Sequence, residues 1–122
     1  MLHIFIESDP ACHFKASIVK ENDNIEMWCT VTYSGNWAPV MKWKEANGHL
    51  ITKGILTEAT AISLTLMLNL SADAGKHNSS YSCQIYFSAL QNQAIDDLAD
   101  NIPDYHYEWT SPLIQVICKF HF

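Results

Sequence analysis

The chain predicts an all-β domain of antiparallel strands, and three observations carry that prediction. Apolar and polar residues alternate along almost every candidate strand, the period-two pattern of a sheet with one face on a core. Turn signals punctuate these runs, at Ser34-Gly35-Asn36 and at Asn47-Gly48. A length of 122 residues, 48% of them hydrophobic, gives one core and no room for a second, so residues 1–122 are a single domain. No internal repeat and no low-complexity segment interrupts the pattern.

The elements follow in order. Leu2 to Glu7 reads as a short opening strand, and Cys12, Phe14, Ala16 and Ile18 share one parity on the next. Ile25, Met27, Cys29, Val31 and Tyr33 alternate with Glu26, Thr30 and Thr32, which makes a half-buried strand. Val40 to Lys44 is the next strand, with Met41 and Trp43 inward and Lys42 and Lys44 outward. The Asn47-Gly48 hairpin leads into a short strand from His49 to Lys53. Ile62, Leu64, Leu66, Leu68 and Leu70 then alternate with Ser63, Thr65, Met67 and Asn69. A helix would scatter those leucines around its surface, so period two prevails. Tyr81, Cys83, Ile85 and Phe87 face inward from a further strand, and Pro112 to Phe120 forms the last, its proline suiting a strand start.

Cys29, Trp43 and Cys83, with Tyr81 two residues before the second cysteine, form the most informative constellation. In the segments Met27-Trp28-Cys29-Thr30-Val31, Val40-Met41-Lys42-Trp43 and Ser80-Tyr81-Ser82-Cys83 the sequence resembles the immunoglobulin superfamily. The resemblance implies an immunoglobulin-like two-sheet antiparallel β-sandwich with Greek-key topology, of the variable-like or intermediate set. It also implies a Cys29 to Cys83 disulfide with Trp43 packed on it and Tyr81 anchoring the entry to the second cysteine strand. Three departures stand out. The region before the last strand reads Glu108-Trp109-Thr110-Ser111-Pro112, without the glycine-rich stretch of rearranged antigen receptors. Asp73-Ala74-Gly75 is four residues further from Tyr81 than the family's corner motif has it, and there is no arginine to pair with Asp73. Lys53 is the expected substitute.

Four cysteines allow three pairings. With Cys29 and Cys83 assigned by resemblance, Cys12 and Cys118 remain, both at inward parities. In variable-type sandwiches the second half of the first strand runs beside the last, which suggests a second bridge between Cys12 and Cys118. Closing loops this long is worth roughly 4–5 kcal/mol each in the chain-entropy model. Disulfides imply an oxidising compartment, hence an extracellular protein, at the cell surface or secreted. Buried free thiols or a zinc site are the competing readings; the absence of Cys-x-x-Cys spacing weighs against zinc.

Seven lysines, no arginine and thirteen acids leave a net charge of −6, the wrong sign for gripping nucleic acid. No apolar run nears the roughly 20 residues of a membrane-spanning helix, so this domain is expected to make no membrane contact itself. Residues 1–7 lack the features of a signal peptide, and a piece of a longer, membrane-anchored or multidomain precursor is the expectation.

The stretch from Phe87 to Thr110 is far longer than the usual connection of about 4–6 residues. It carries the acids Asp96, Asp97, Asp100, Asp104 and Glu108 among apolar residues and Tyr105, Tyr107 and Trp109. Rigid aromatics mixed with carboxylates suit capture of a basic protein partner. The competing reading is that the aromatics prolong the flanking strands. Outward residues of the adjacent sheet, Lys42, Lys44, Gln84, Tyr86, Gln115 and Ile117, form a second candidate patch, with Trp37 near the same end. Trp28 is outward on the opposite sheet. Asn69-Leu70-Ser71 and Asn78-Ser79-Ser80 match the N-glycosylation pattern, at an outward position and in a turn.

No catalytic elbow, zinc-protease or phosphate-loop motif is present, and the histidines have no ligand spacing, so neither enzyme activity nor cofactor is expected. The sequence therefore points to a recognition module of an adhesion or immune-type receptor, binding a protein ligand or a second copy of itself. A secreted recognition factor or decoy, and a spacer domain in a tandem array, are the alternatives.

Overall fold

The computed structural model describes residues 4–6, 9–35, 39–87 and 105–118. Its strands are β1 (Ile4–Ile6), β2 (Ala11–Phe14), β3 (Ile18–Lys20), β4 (Asn24–Gly35), β5 (Val40–Glu45), β6 (Ile55–Ala59), β7 (Ser63–Ser71), β8 (Tyr81–Phe87), β9 (Tyr105–Thr110) and β10 (Gln115–Ile117). A 3-10 turn, Ala74–Lys76, precedes β8.

The larger sheet has the order β1-β4-β7-β6, and β2 pairs with the same edge of β4 as β1 does. The second sheet is β5-β8-β9, all antiparallel. Between them lies one core, to which β4 contributes Ile25, Met27, Cys29 and Val31, all fully buried. From β7 come Leu66 and Leu68, and from the second sheet Trp43, Tyr81, Cys83 and Ile85. These are the inward parities the sequence pattern specified. The two layers are also joined by a hydrogen bond: the Trp43 Nε1–H donates to the Leu66 carbonyl at 3.1 Å, so the indole fills the core without a buried unpaired donor.

The first strand changes sheets. Its leading half, β2, pairs with β4, and after Lys15 the chain leaves that edge and β3 runs parallel to β10. The last strand is interrupted in the same way. Ser111 is buried, its N–H donates to the Tyr81 carbonyl and its hydroxyl accepts from the Tyr81 N–H, and Pro112 then ends the ladder. Of the strand expected over 112–120 the described residues form only the short β10, and Tyr105–Thr110, expected within the connection, is the separate strand β9.

That switch decides the disulfides and corrects the expected pairing. Cys12 lies in β2, directly opposite Cys29 on β4, with Cα atoms 4.0 Å apart, and these two are bonded. Cys83 and Cys118 are free thiols. Cys118 follows β10, whose register partner is β3 and not β2, so it is never brought to Cys12. Cys83 remains in the core beside Trp43, its register neighbour, with no bond to Cys29.

Two smaller expectations change. Residues 49–53 form only a bridge between Lys44 and Leu50, and the next strand is β6, whose mostly exposed side chains give no alternation to read. At the corner before β8, Asp73 is paired with Lys76 at 2.7 Å and not with Lys53. The Lys76 ammonium, bonding the Asp73 carboxylate, holds that acid below its ordinary range.

Candidate partner-binding face

Register alone arranges the outer surface of the second sheet. Lys42, Gln84 and Glu108 are neighbours across β5, β8 and β9, forming one cross-strand row. Val40, Tyr86 and His106 form the next, and Lys44, Ser82 and Thr110 the third. Antiparallel register puts these side chains on the face turned away from the core, because each is an odd number of residues off the buried Trp43, Cys83 and Ile85.

The rows have a built-in electrostatic gradient. Lys42 and Lys44 stand on β5, the acid Glu108 on β9, and neutral Gln84 and Tyr86 between them. The Lys42 Nζ sits 5.5 Å from the Tyr86 ring centre, a cation–π contact that holds both side chains over the middle of the face. Tyr86 is half-buried and His106 and Glu108 are exposed. An aromatic anchor flanked by charges of both signs is a surface suited to a protein partner.

The aromatic residues of β9 behave differently from the expectation that they form a paratope. Tyr107 pairs with Ile85 and Trp109 with Cys83, both inward-facing residues, and both aromatics pack partly buried against the core. Trp109 lies edge-on to Trp43, 6.1 Å between ring centres, and stacks on Phe14 of β2 at 6.5 Å. They prolong the strand into the sandwich. Tyr105 belongs to the same strand, but its side chain, together with Asp96, Asp97, Asp100, Asp104 and Trp37, lies outside the described residues. Gln115 and Ile117 are outward on β10, which pairs with β3 and is no part of the β5-β8-β9 rows.

His106 and Glu108 are members of the face that the sequence reading did not place there. Both carry the parity opposite to Tyr107 and Trp109; the signal was present, but a strand starting at 112 hid it.

Comparison with solved structures decides the architecture. The two-domain Rst D1-D2 structure matches over 89% of this chain and 48% of its own, at TM-score 0.57 and 19% identity. A chimeric titin Z1Z2 carrying an exogenous decorin peptide matches over 98% of this chain and 99% of its own, at TM-score 0.52 and 12% identity. This is an immunoglobulin-like domain. A third immunoglobulin structure, Dpr2 Ig1-Ig2 in complex with DIP-Theta Ig1-Ig3, matches over 89% of this chain and 32% of its own, at TM-score 0.50 and 15% identity. The domain thus spans about half of the Rst structure and a third of the Dpr2 one. No protein-family profile and no curated protein matches the sequence.

A cleft of about 540 Å³ lies between the Asn47-Gly48 hairpin and the turn before β8, lined by Leu50, Ile51, Lys53, Leu70 and Tyr81 among others. The Tyr81 hydroxyl is tied down there by Ser79 Oγ at 3.0 Å. Burial pushes the Cys83 thiol up to about 12, so it stays protonated at neutral pH and is inert as a nucleophile. Among the described residues no group of three or more His, Cys, Asp or Glu gathers as a metal site. None of the described helices is long and apolar enough to cross a membrane.

Proposed function

We propose that this immunoglobulin-like domain is an extracellular recognition module that binds a protein partner through the outer face of β5, β8 and β9. The observation that carries this is the row Lys42–Gln84–Glu108, with Tyr86 held beside it by Lys42. Adhesion-type structures such as Rst and the Dpr2–DIP-Theta complex share the fold, which supports a recognition role. The Cys12–Cys29 disulfide supports an oxidising compartment.

The gradient further favours self-association. In a two-fold, face-to-face dimer the same patch meets itself, so a dyad through Gln84 sets Lys42 of one copy over Glu108 of the other, twice. Such a pairing steers encounter through charge and is weakened by salt.

Sedimentation of the purified domain over a wide concentration range, at low and physiological salt, tests this. A reversible dimer that weakens with salt and is lost in Lys42→Glu but restored by mixing Lys42→Glu with Glu108→Lys supports the homophilic form. A strict monomer at every concentration removes it, leaving a heterologous partner; a monomer that also captures no surface or secreted protein leaves the spacer role.

A further inference from the structure

The outer face of the larger sheet carries an apolar ladder. Trp28, Met67 and Leu56 are register neighbours across β4, β7 and β6, and the His13 imidazole of β2 closes the row beside Trp28. The His13 ring lies 5.7 Å from the Trp28 ring, and Leu56 at the far end is 57% exposed. The rows on both sides are polar. One holds Thr30 and Thr65, whose hydroxyls are 2.8 Å apart, and the other holds Glu26, ion-paired to Lys15 at 3.1 Å. A contiguous apolar stripe with a polar rim is a surface that is ordinarily covered.

Asn69, the first residue of the Asn69-Leu70-Ser71 sequon, stands on this same face. It lies opposite Glu26, two residues along β7 from Met67, and Glu26 is two residues along β4 from Trp28. Two strand residues span about 7 Å, so both apolar side chains are within the reach of a first sugar. Ser71, the hydroxyl residue of the sequon, is exposed.

We infer that Asn69 carries an N-linked glycan whose first sugars lie along the ladder, setting their C–H faces on Trp28 and Met67 and their hydroxyls toward Glu26 and Lys15. In the transfer the Asn69 amide nitrogen forms a bond to C1 of the sugar, the lipid-diphosphate leaving group of the donor departs and one amide proton is lost. The ladder is a single row, well short of the roughly 800 Å² per partner of a stable protein interface, and a sugar at Asn69 obstructs a flat sheet from docking. The glycan would leave the β5-β8-β9 face free. This inference rests on the extracellular reading, since the sugar is added to chains that enter the secretory pathway.

The test uses the full 122-residue chain, secreted behind a cleavable leader from an N-glycosylating host. Ser80→Ala removes the second sequon without altering Asn78, which has φ 61° and would be strained as another residue. Peptide masses report occupancy of Asn69. The folded protein is then treated with an endoglycosidase that leaves one sugar, or an amidase that leaves aspartate, with Asn69→Asp as its control. Binding of an apolar-surface dye is expected to rise about threefold on complete removal, much less with one sugar left, and to lose that rise in Trp28→Ser or Leu56→Ser. An unmodified Asn69, dye binding that ignores the sugar, or a rise that survives both serine variants overturns the inference. Because the leader forces secretion, failure of the extracellular reading is separately visible, as a natively expressed chain with sugar at neither Asn69 nor Asn78.

Discussion

Trp109 meets Trp43 edge to face, with ring centres 6.1 Å apart and planes at 87°, in the gap between the two sheets. The contact makes Trp109 a structural residue although it lies next to the long connection between β8 and β9. Trp109→Ser is therefore expected to destabilise the domain by about 3 kcal/mol, as large-to-small changes in a core do. Denaturant unfolding followed by far-UV circular dichroism checks this; an unchanged midpoint would return Trp109 to the surface.

The thiols make a second expectation. A non-reducing peptide map should show Cys12 joined to Cys29, with half-exposed Cys118 alkylated in the folded protein and buried Cys83 alkylated only after unfolding. Reducing the bond, which spans a sequence separation of 17, should cost about 3 kcal/mol. A Cys29–Cys83 peptide in that map would refute the pairing.

Cys83 also sets an alkaline limit. Its folded pKa of about 12 exceeds its ordinary 9.0, so the unfolded chain ionises first as pH rises. The stability linked to it is fully present below pH 9 and declines above it, by at most about 1.4 kcal/mol per pH unit. Unfolding curves at pH 8 and pH 10 should show the loss, and Cys83→Ala should abolish the slope that this group contributes.

Tyr86→Ala should weaken partner binding at least tenfold, about 1.4 kcal/mol, while shifting the melting temperature little, because the ring packs on Lys42 and outside the core. Binding and melting measured on the same preparation separate the two effects. Loss of both together would move Tyr86 into the structural set.

Gly54 offers a backbone test. It has φ 76°, and a Cβ there would collide with the Asn69 carbonyl oxygen, a backbone atom with little freedom to move. Its own carbonyl accepts from the Asn69 N–H at 2.8 Å, so the approach is part of the ladder that starts β6. Gly54→Ala should cost about 2 kcal/mol or more through strain and collision together. A Gly54→Ala domain as stable as the parent would show that β6 can detach at no cost.

Sequence alone determined the strands with one buried face. In β4, β5, β7 and β8 every second residue is apolar, and water's exclusion from those side chains leaves one register parity open, so Ile25, Trp43, Leu68 and Ile85 were legible as core. It also placed Lys42, Lys44, Gln84 and Tyr86 on one outward face. Tertiary structure decided the rest. Which cysteines meet depends on where β2 ends and β3 begins, a change of sheet made by backbone pairing with β4 and β10 that no side-chain period records. The inward turn of Tyr107 and Trp109, and with it the outward turn of His106 and Glu108, came from the register of β9 on β8. Parity assigns a residue to a face only once its strand is bounded, and those bounds are set by hydrogen bonds to distant segments.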